Sequence, residues 1–212
     1  MNFAEHAFLF DCAGDALMGI EAIPADPSSI GVIVVVGGPQ YRVGSHRQFV
    51  LLARALAESG FATMRFDFRG MGDSAGNARS FEDVAVDIRA AIDAFLVRHP
   101  SIKQIVLWGL CDAASASLMF CEASQDERLA GLCLLNPWVR SEASLAKTHV
   151  RHYYRQRLLQ REFWLKMLTG RGNPFRQLGG FLRNLAQSRR AHPVAARTFQ
   201  QRMAQGWPEF SK

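Results

Sequence analysis

The 212-residue sequence lacks the long apolar runs that mark membrane-spanning proteins. No apolar stretch reaches the roughly 20 residues that a transmembrane helix needs, and no basic segment followed by an apolar one opens the chain. Cysteine is also scarce, and the four cysteines do not have the spacing of metal ligands: Cys12, Cys111, Cys121 and Cys133. We therefore predict a reduced, cytoplasmic protein without a metal ion or other cofactor.

Charge is distributed unevenly along the chain. Residues 140–190 contain 12 Lys or Arg and two Asp or Glu, a net charge of +10, so the remainder carries −4 of the overall +6. Hydrophobic residues make up 49% of the sequence, which is enough to bury a core. With no internal repeat and no low-complexity linker, the sequence predicts one globular domain with a basic insertion.

Apolar runs alternate with amphipathic patterns of helical period. The opening predicts a hairpin around Gly14-Asp15, and the segments 30–36, 61–66, 105–108 and 129–135 predict buried strands. Helices are predicted from about Ser45, after a Ser80 cap, and after Cys111. Alternation of this kind is typical of an α/β fold with a mostly parallel sheet and helices on both faces, whose sites lie at the carboxyl ends of the strands.

Cys111 lies in Gly109-Leu110-Cys111-Asp112-Ala113, between a predicted strand and a predicted helix. A nucleophile on so sharp a turn requires tiny residues two positions before and after it, and Gly109 and Ala113 meet that requirement. We interpret the segment as a nucleophile elbow with Cys in place of Ser, rather than as a core cysteine. The helix start lowers the pKa of a thiol, whereas the neighbouring Asp112 raises it. The other three cysteines are predicted to lie in the core.

An acyl-transfer site also needs N–H donors for an oxyanion. The first expected donor is the amide of Asp112, and the second should come from the loop after Val36. Pro39 has no amide hydrogen, so we predict Gly38, with Gln40 as the alternative. Residues predicted to border the substrate pocket are Gly37, Gln40, His46, Asn136 and Trp138.

No general base is evident. His149 and His152 fall in the basic insertion, and we interpret both as surface or capping residues. His46 borders the predicted site and could touch substrate, but it lacks an obvious acid partner. The segment Asp67–Gly72 is interpreted as tight turns, because it lacks the Gly-Lys-Ser ending of a phosphate-binding loop.

Three segments carry a resemblance to a known family: 37–49 (GGPQYRVGSHRQF), 67–73 (DFRGMGD) and 109–116 (GLCDAASA). Together they are similar to the type 1 family of exosortase A system-associated hydrolases, within the α/β-hydrolase superfamily. The resemblance implies a gene neighbourhood of exopolysaccharide and protein-sorting functions in Gram-negative bacteria. It also implies two further strands after residue 212, carrying the catalytic Asp and His, so the chain is expected to be C-terminally truncated.

The resemblance suggests a core over residues 1–139, a basic helical cap over 140–191, and a helix over 192–212 leading back to the core. Two functions remain open. The first is hydrolysis of an ester, thioester or similar acyl bond through Cys111, impaired by the truncation; the second is a non-catalytic interaction protein. The cap would recruit an anionic substrate, or dock on an anionic inner-membrane surface or an exosortase-pathway partner. No nucleic-acid partner is expected.

Overall fold

The computed structural model describes residues 2–38, 40–138 and 199–210. The chain divides into two compact units, one of residues 1–139 with 201–212 and the other of residues 140–200. The predicted cap over 140–191, with His149 and His152, lies outside the described residues, and so does Pro39.

The described part of the chain forms a six-stranded sheet in the order β1-β2-β4-β3-β5-β6. The strands are β1 (Phe3–Cys12), β2 (Asp15–Pro24), β3 (Ile30–Val35), β4 (Thr63–Phe66), β5 (Gln104–Leu110) and β6 (Leu129–Leu135). The opening hairpin pairs β1 with β2, and β2 runs antiparallel to β4. The remaining pairs, β4 with β3, β3 with β5 and β5 with β6, are parallel. The predicted α/β fold with a mostly parallel sheet is confirmed.

Four helices are described: α1 (Gln48–Glu58), α2 (Ala85–Arg98), α3 (Asp112–Ser124) and α4 (Phe199–Phe210). Two of them begin later than the sequence predicts. Ser45–Arg47 forms a separate 3₁₀ turn, because His46 and Arg47 have φ of 50° and 62° and so interrupt the helix. Ser80 caps a 3₁₀ turn at Phe81–Asp83, accepting from the amide of Glu82 at 3.4 Å, and α2 follows it.

The main core lies between the sheet and the helices α2 and α3. Its largest fully buried side chains come from both layers: Leu17, Ile33, Met64, Phe66, Ile88, Ile92, Phe95, Ile105, Leu107 and Phe120. A smaller cluster contains Val34 of β3, Val36 directly after that strand and Phe49 of α1. Trp108 of β5 packs against this cluster. Both faces of β3 are therefore covered, as its uniformly apolar sequence predicts.

Strand β6 is the last strand of the described sheet and pairs only with β5. Its side chains are half-buried or exposed, and Leu135 is 40% exposed. The prediction that Cys133 lies in the core is wrong: Cys133 is exposed, because burial on a strand requires neighbours that the described part of the chain does not supply. Cys12 and Cys121 are buried, as predicted.

Candidate active site

The turn at Cys111 joins the end of β5 to the start of α3. Cys111 has φ 58° and ψ −116°, a backbone conformation that non-glycine residues rarely adopt and that costs on the order of 1–3 kcal/mol. The amide of Cys111 donates to the carbonyl of Leu135 at 2.9 Å, and its carbonyl accepts from the amide of Ser115 at 3.2 Å. The sheet and the helix together maintain the strained turn.

Small residues around Cys111 make the turn possible. A Cβ at Gly109 would lie 2.7 Å from the carbonyl carbon of Ala113, so no larger residue fits there without displacing α3. Ala113 itself is completely buried. The sequence requirement for tiny residues two positions either side of Cys111 thus corresponds to a direct contact between those two residues.

The sulfur of Cys111 is half-buried and, within the described ranges, makes one hydrogen bond, to Asp112 Oδ1 at 3.5 Å. Burial raises the pKa of the Cys111 thiol, the charge of Asp112 and that hydrogen bond raise it further, and the backbone amide of Asp112 lowers it. The carboxylate of Asp112 thus raises the pKa of Cys111 more than the backbone amide of the same residue lowers it. A raised pKa leaves less thiolate at neutral pH, so the reaction of Cys111 needs a base.

The loop after β3 packs directly on the elbow. A Cβ at Gly37 would lie 2.5 Å from the amide nitrogen of Ala113 and 3.0 Å from the carbonyl oxygen of Leu110. Gly38 follows with φ 63°, and a Cβ there would be 3.8 Å from Asp112 Oδ2. The two predicted oxyanion donors, Gly38 and Asp112, are therefore adjacent in space, and only glycine permits the approach at Gly37.

Trp138 also lies at the elbow. Its amide approaches the carbonyl of Cys111 at 3.4 Å, and its carbonyl accepts from Ser115 Oγ at 2.7 Å. The indole packs edge-on against Phe81 with ring centroids 5.8 Å apart. Trp138 is 39% exposed, so this aromatic pair forms an accessible apolar surface beside Cys111.

The other predicted pocket residues are less closely connected. Asn136 is exposed after β6 with φ 48°, and Gln40 accepts a hydrogen bond from Gln48 at 3.2 Å. His46 is exposed on the 3₁₀ turn before α1. Among the hydrogen bonds and ion pairs of the described residues, none joins His46 to Cys111, so no base is assigned there.

Sequence reasoning missed an ion-pair cluster behind the loop. Asp67, which follows β4, is completely buried and accepts from the backbone amide of Arg42 at 2.6 Å and from its guanidinium. The same carboxylate accepts from the amide of Asp73 at 3.2 Å, which agrees with the interpretation of Asp67–Gly72 as tight turns. An Asp that directly follows a buried strand was the available signal, but its Arg partner is 25 residues away.

The described residues contain no group of three or more His, Cys, Asp or Glu side chains that could bind a metal ion. None of the described helices is long and apolar enough to cross a membrane.

A family model described as serine aminopeptidase, S33, matches residues 28–177, which include the elbow and the loop after β3. The chain belongs to this family. The sheet order, the elbow and this match together place it in the α/β-hydrolase superfamily. No curated protein matches the chain.

Solved structures share the fold. The esterase Pf2001 of Pyrococcus furiosus is 19% identical with a TM-score of 0.59, covering 76% of this chain and 60% of its own. The hypothetical protein PA2218 of Pseudomonas aeruginosa is 19% identical with a TM-score of 0.57, covering 80% and 55%. XC6422 of Xanthomonas campestris, described as an α/β serine hydrolase without a lid, is 25% identical with a TM-score of 0.53, covering 65% of each chain. The chain thus spans less than two thirds of each of these proteins.

Proposed function

We propose that this chain forms the core of an acyl hydrolase in which Cys111 attacks an ester or thioester carbonyl. The observation that carries the proposal is the strained backbone of Cys111, with φ 58° and ψ −116°, at the junction of β5 and α3. A cysteine that merely packs in a core has no need of that conformation. The fold shared with the Pyrococcus furiosus esterase agrees with this reaction class.

In the acylation step, Cys111 Sγ forms a bond to the carbonyl carbon while an electron pair of the carbonyl moves to its oxygen. We assign the stabilisation of that oxyanion to the backbone amides of Gly38 and Asp112; a Cβ on Gly38 would lie 3.8 Å from Asp112 Oδ2, so the two residues are neighbours. Collapse of the adduct re-forms the carbonyl and expels the alcohol or thiol, which takes up the proton lost by Cys111. Water then attacks the acyl-enzyme, releases the acid and returns a proton to Sγ.

Both steps require a general base. The raised pKa of Cys111 means that little thiolate forms spontaneously at neutral pH. Within the described ranges, the hydrogen bond recorded for Cys111 Sγ goes to Asp112, and no His pairs with it. For residues 1–212 alone we therefore expect slow acylation of Cys111 and still slower deacylation, so that activity takes the form of a single turnover.

The substrate and partners are also proposals. The motifs at residues 37–49, 67–73 and 109–116 support a role with exosortase A and exopolysaccharide systems. The net charge of +10 over residues 140–190 supports an anionic substrate or an anionic membrane surface as the counterpart. Co-sedimentation with anionic and neutral vesicles across a salt series distinguishes the anionic substrate from the anionic membrane surface. If the membrane is the counterpart, the protein should bind anionic vesicles, and this binding should weaken as salt rises.

The test of the reaction is acylation by p-nitrophenyl acetate, followed by p-nitrophenol release and intact mass. The parent chain should release about one equivalent and gain one acetyl group on Cys111, and C111A should lose both. C133A is the matched control, because it removes an exposed cysteine outside the elbow. If C111A retains the burst, or if the acetyl group maps to Cys133, the nucleophile assignment fails.

A further inference from the structure

The loop that carries Gly37 and Gly38 contacts other parts of the protein at its start, at the side chain of Gln40 and at Arg42. At its start, Gly37 packs against the backbone of Ala113 in the elbow. Five residues later, Arg42 is bound by Asp67, which lies in a different loop at the end of β4. The described residues between Gly37 and Arg42, namely Gly38, Gln40 and Tyr41, belong to no helix or strand. The position of Gly38 therefore depends on the contacts that its neighbours in the chain make with the rest of the protein.

Arg42 is held through both its backbone and its side chain. Asp67 accepts from the main-chain amide of Arg42 as well as from its guanidinium, so it fixes the backbone of the loop and not only a side chain. The guanidinium also pairs with Asp73. Arg65 Nη1 approaches the carbonyl of Arg42 at 3.5 Å. Amide, carbonyl and side chain of one residue are thus all contacted.

Asp67 is itself tightly enclosed. Its side chain is completely buried, and a Cβ at Gly72 would overlap its carboxylate, so the turn over it admits only glycine at that point. Among the hydrogen bonds and ion pairs of the described residues, none joins Asp67 to Cys111. Asp67 thus hydrogen-bonds the loop that contains Arg42 while the turn at Gly72 covers it. A buried carboxylate in this position is suited to fixing the conformation of a loop rather than to reacting with a substrate.

We propose that Asp67 and Arg42 are positioning residues that set the orientation of the Gly38 amide toward the oxyanion. This rests on the proposed acyl transfer at Cys111. A donor of this kind is effective only when it is fixed before the reaction, since reorienting it during the reaction offsets the gain. Removing the interaction between Asp67 and Arg42 should therefore weaken oxyanion stabilisation without changing the Cys111 side chain itself.

Two reactions of the same thiol separate these effects. Acylation by p-nitrophenyl acetate passes through a tetrahedral oxyanion, whereas alkylation by iodoacetamide displaces iodide directly and forms no oxyanion. Both rates scale with the amount of Cys111 thiolate, so their ratio cancels any change in that amount. A large fall in the ratio of acylation to alkylation rates thus reports a loss of oxyanion stabilisation.

The experiment compares D67N with D87N, both in a C133A background. Asp87 is a close structural match: it is completely buried and accepts from the backbone amide and the guanidinium of Arg69, in the core and not in the loop after β3. D67N should lower the acylation-to-alkylation ratio about 10-fold or more, since losing a donor outright costs about 100- to 1,000-fold. D87N should leave the ratio unchanged even though it weakens the fold.

An unchanged ratio in D67N, or an equal fall in D87N, would overturn the positioning role. Circular dichroism establishes that each variant is folded at the assay temperature. Should D67N fail to fold, R42A and R42K take its place: R42A should lower the ratio, and R42K, which retains a cation for Asp67, should recover part of it. If the parent protein forms no acetyl adduct on Cys111 while iodoacetamide still alkylates it, the proposed acyl transfer itself fails, and the positioning role with it.

Discussion

The α-carbon of Gly206 in α4 lies against the carbonyl group of Leu118 in α3, so closely that a Cβ on Gly206 would overlap that oxygen. Gly206 and the neighbouring Met203 are buried, and Arg202 pairs with Glu122 at 3.4 Å. Residues 202–206 of α4 therefore pack against α3, the helix that follows Cys111. Packing on α3 matters to the site because α3 forms half of the elbow.

The contact predicts the effect of G206A. Replacing glycine by alanine inside a helix ordinarily stabilises it by about 1 kcal/mol. Here the methyl group must displace α4 from α3, and overpacking typically costs about 1–3 kcal/mol, so G206A should lower the free energy of unfolding. Urea denaturation measures the change. Q205A, an exposed position on the same helix, is the control and should be neutral or slightly stabilising; stabilisation by G206A would contradict the packing.

Much of the fold is predictable from local sequence patterns. The hairpin, the strands and the elbow follow from periodicity, turn residues and the Gly-x-Cys-x-Ala spacing, all of which act within about ten residues of chain. Cys133 shows the limit of such patterns. An apolar strand looks the same in sequence whether or not another strand covers its outer edge, so its exposure could not be read from residues 129–135.

The geometry of the candidate site was predictable to the same extent. The sequence predicts the turn at Cys111 and the close packing at Gly37 and Gly38, because each position carries a local requirement, for a sharp turn or for close approach of the backbone. The Arg42 to Asp67 pair was not predictable, because a buried ion pair between residues 25 apart leaves no periodic trace. The start of α1 was also misplaced, since nothing local indicates the positive φ of His46 and Arg47.

The exposures of the four cysteines predict their order of alkylation. Cys133 is exposed and Cys111 is half-buried, whereas Cys12 and Cys121 are buried and burial raises the pKa of Cys121 to about 12. Under native conditions iodoacetamide should therefore modify Cys133 and Cys111, leaving Cys12 and Cys121 protected until the protein unfolds. Peptide mapping over a time course measures this order. In C133A the native protein should take up one equivalent at Cys111, and early labelling of Cys121 would contradict the burial of α3.

Asp112 provides a test of the electrostatics at Cys111, the proposed nucleophile. Burial raises the pKa of Cys111, and the charge of Asp112 and its hydrogen bond add to that rise. D112N removes the charge but keeps the backbone amide, so the pH profile of Cys111 alkylation should move to lower pH and the rate at pH 7 should increase. The profile is measured by iodoacetamide trapping in the C133A background. D93N, an exposed carboxylate on α2, should leave the profile in place; a shift of D112N toward higher pH would show that another group dominates.

Glu21 predicts how stability depends on pH at the other end of the sheet. Its side chain is 1% exposed on β2 and accepts from Arg98 at 2.7 and 3.0 Å and from His99 at 2.9 Å, with His6 at 3.6 Å. Burial alone would raise the pKa of Glu21, but the hydrogen bonds from Arg98 and His99 outweigh it and lower the pKa below its ordinary 4.5.

Because the pKa is lower in the folded state, Glu21 stabilises the protein above the unfolded-state value and loses that contribution as pH falls through the folded-state value. E21Q should therefore lower the free energy of unfolding by roughly 2 kcal/mol at pH 7, and the difference from the parent should shrink below about pH 4.5. Thermal melts from pH 3 to 8 measure both. E58Q, at an exposed position on α1, is the control and should match the stability of the parent at every pH. If E21Q is as destabilised at pH 3 as at pH 7, the shape of the Glu21 side chain and not its charge stabilises the protein.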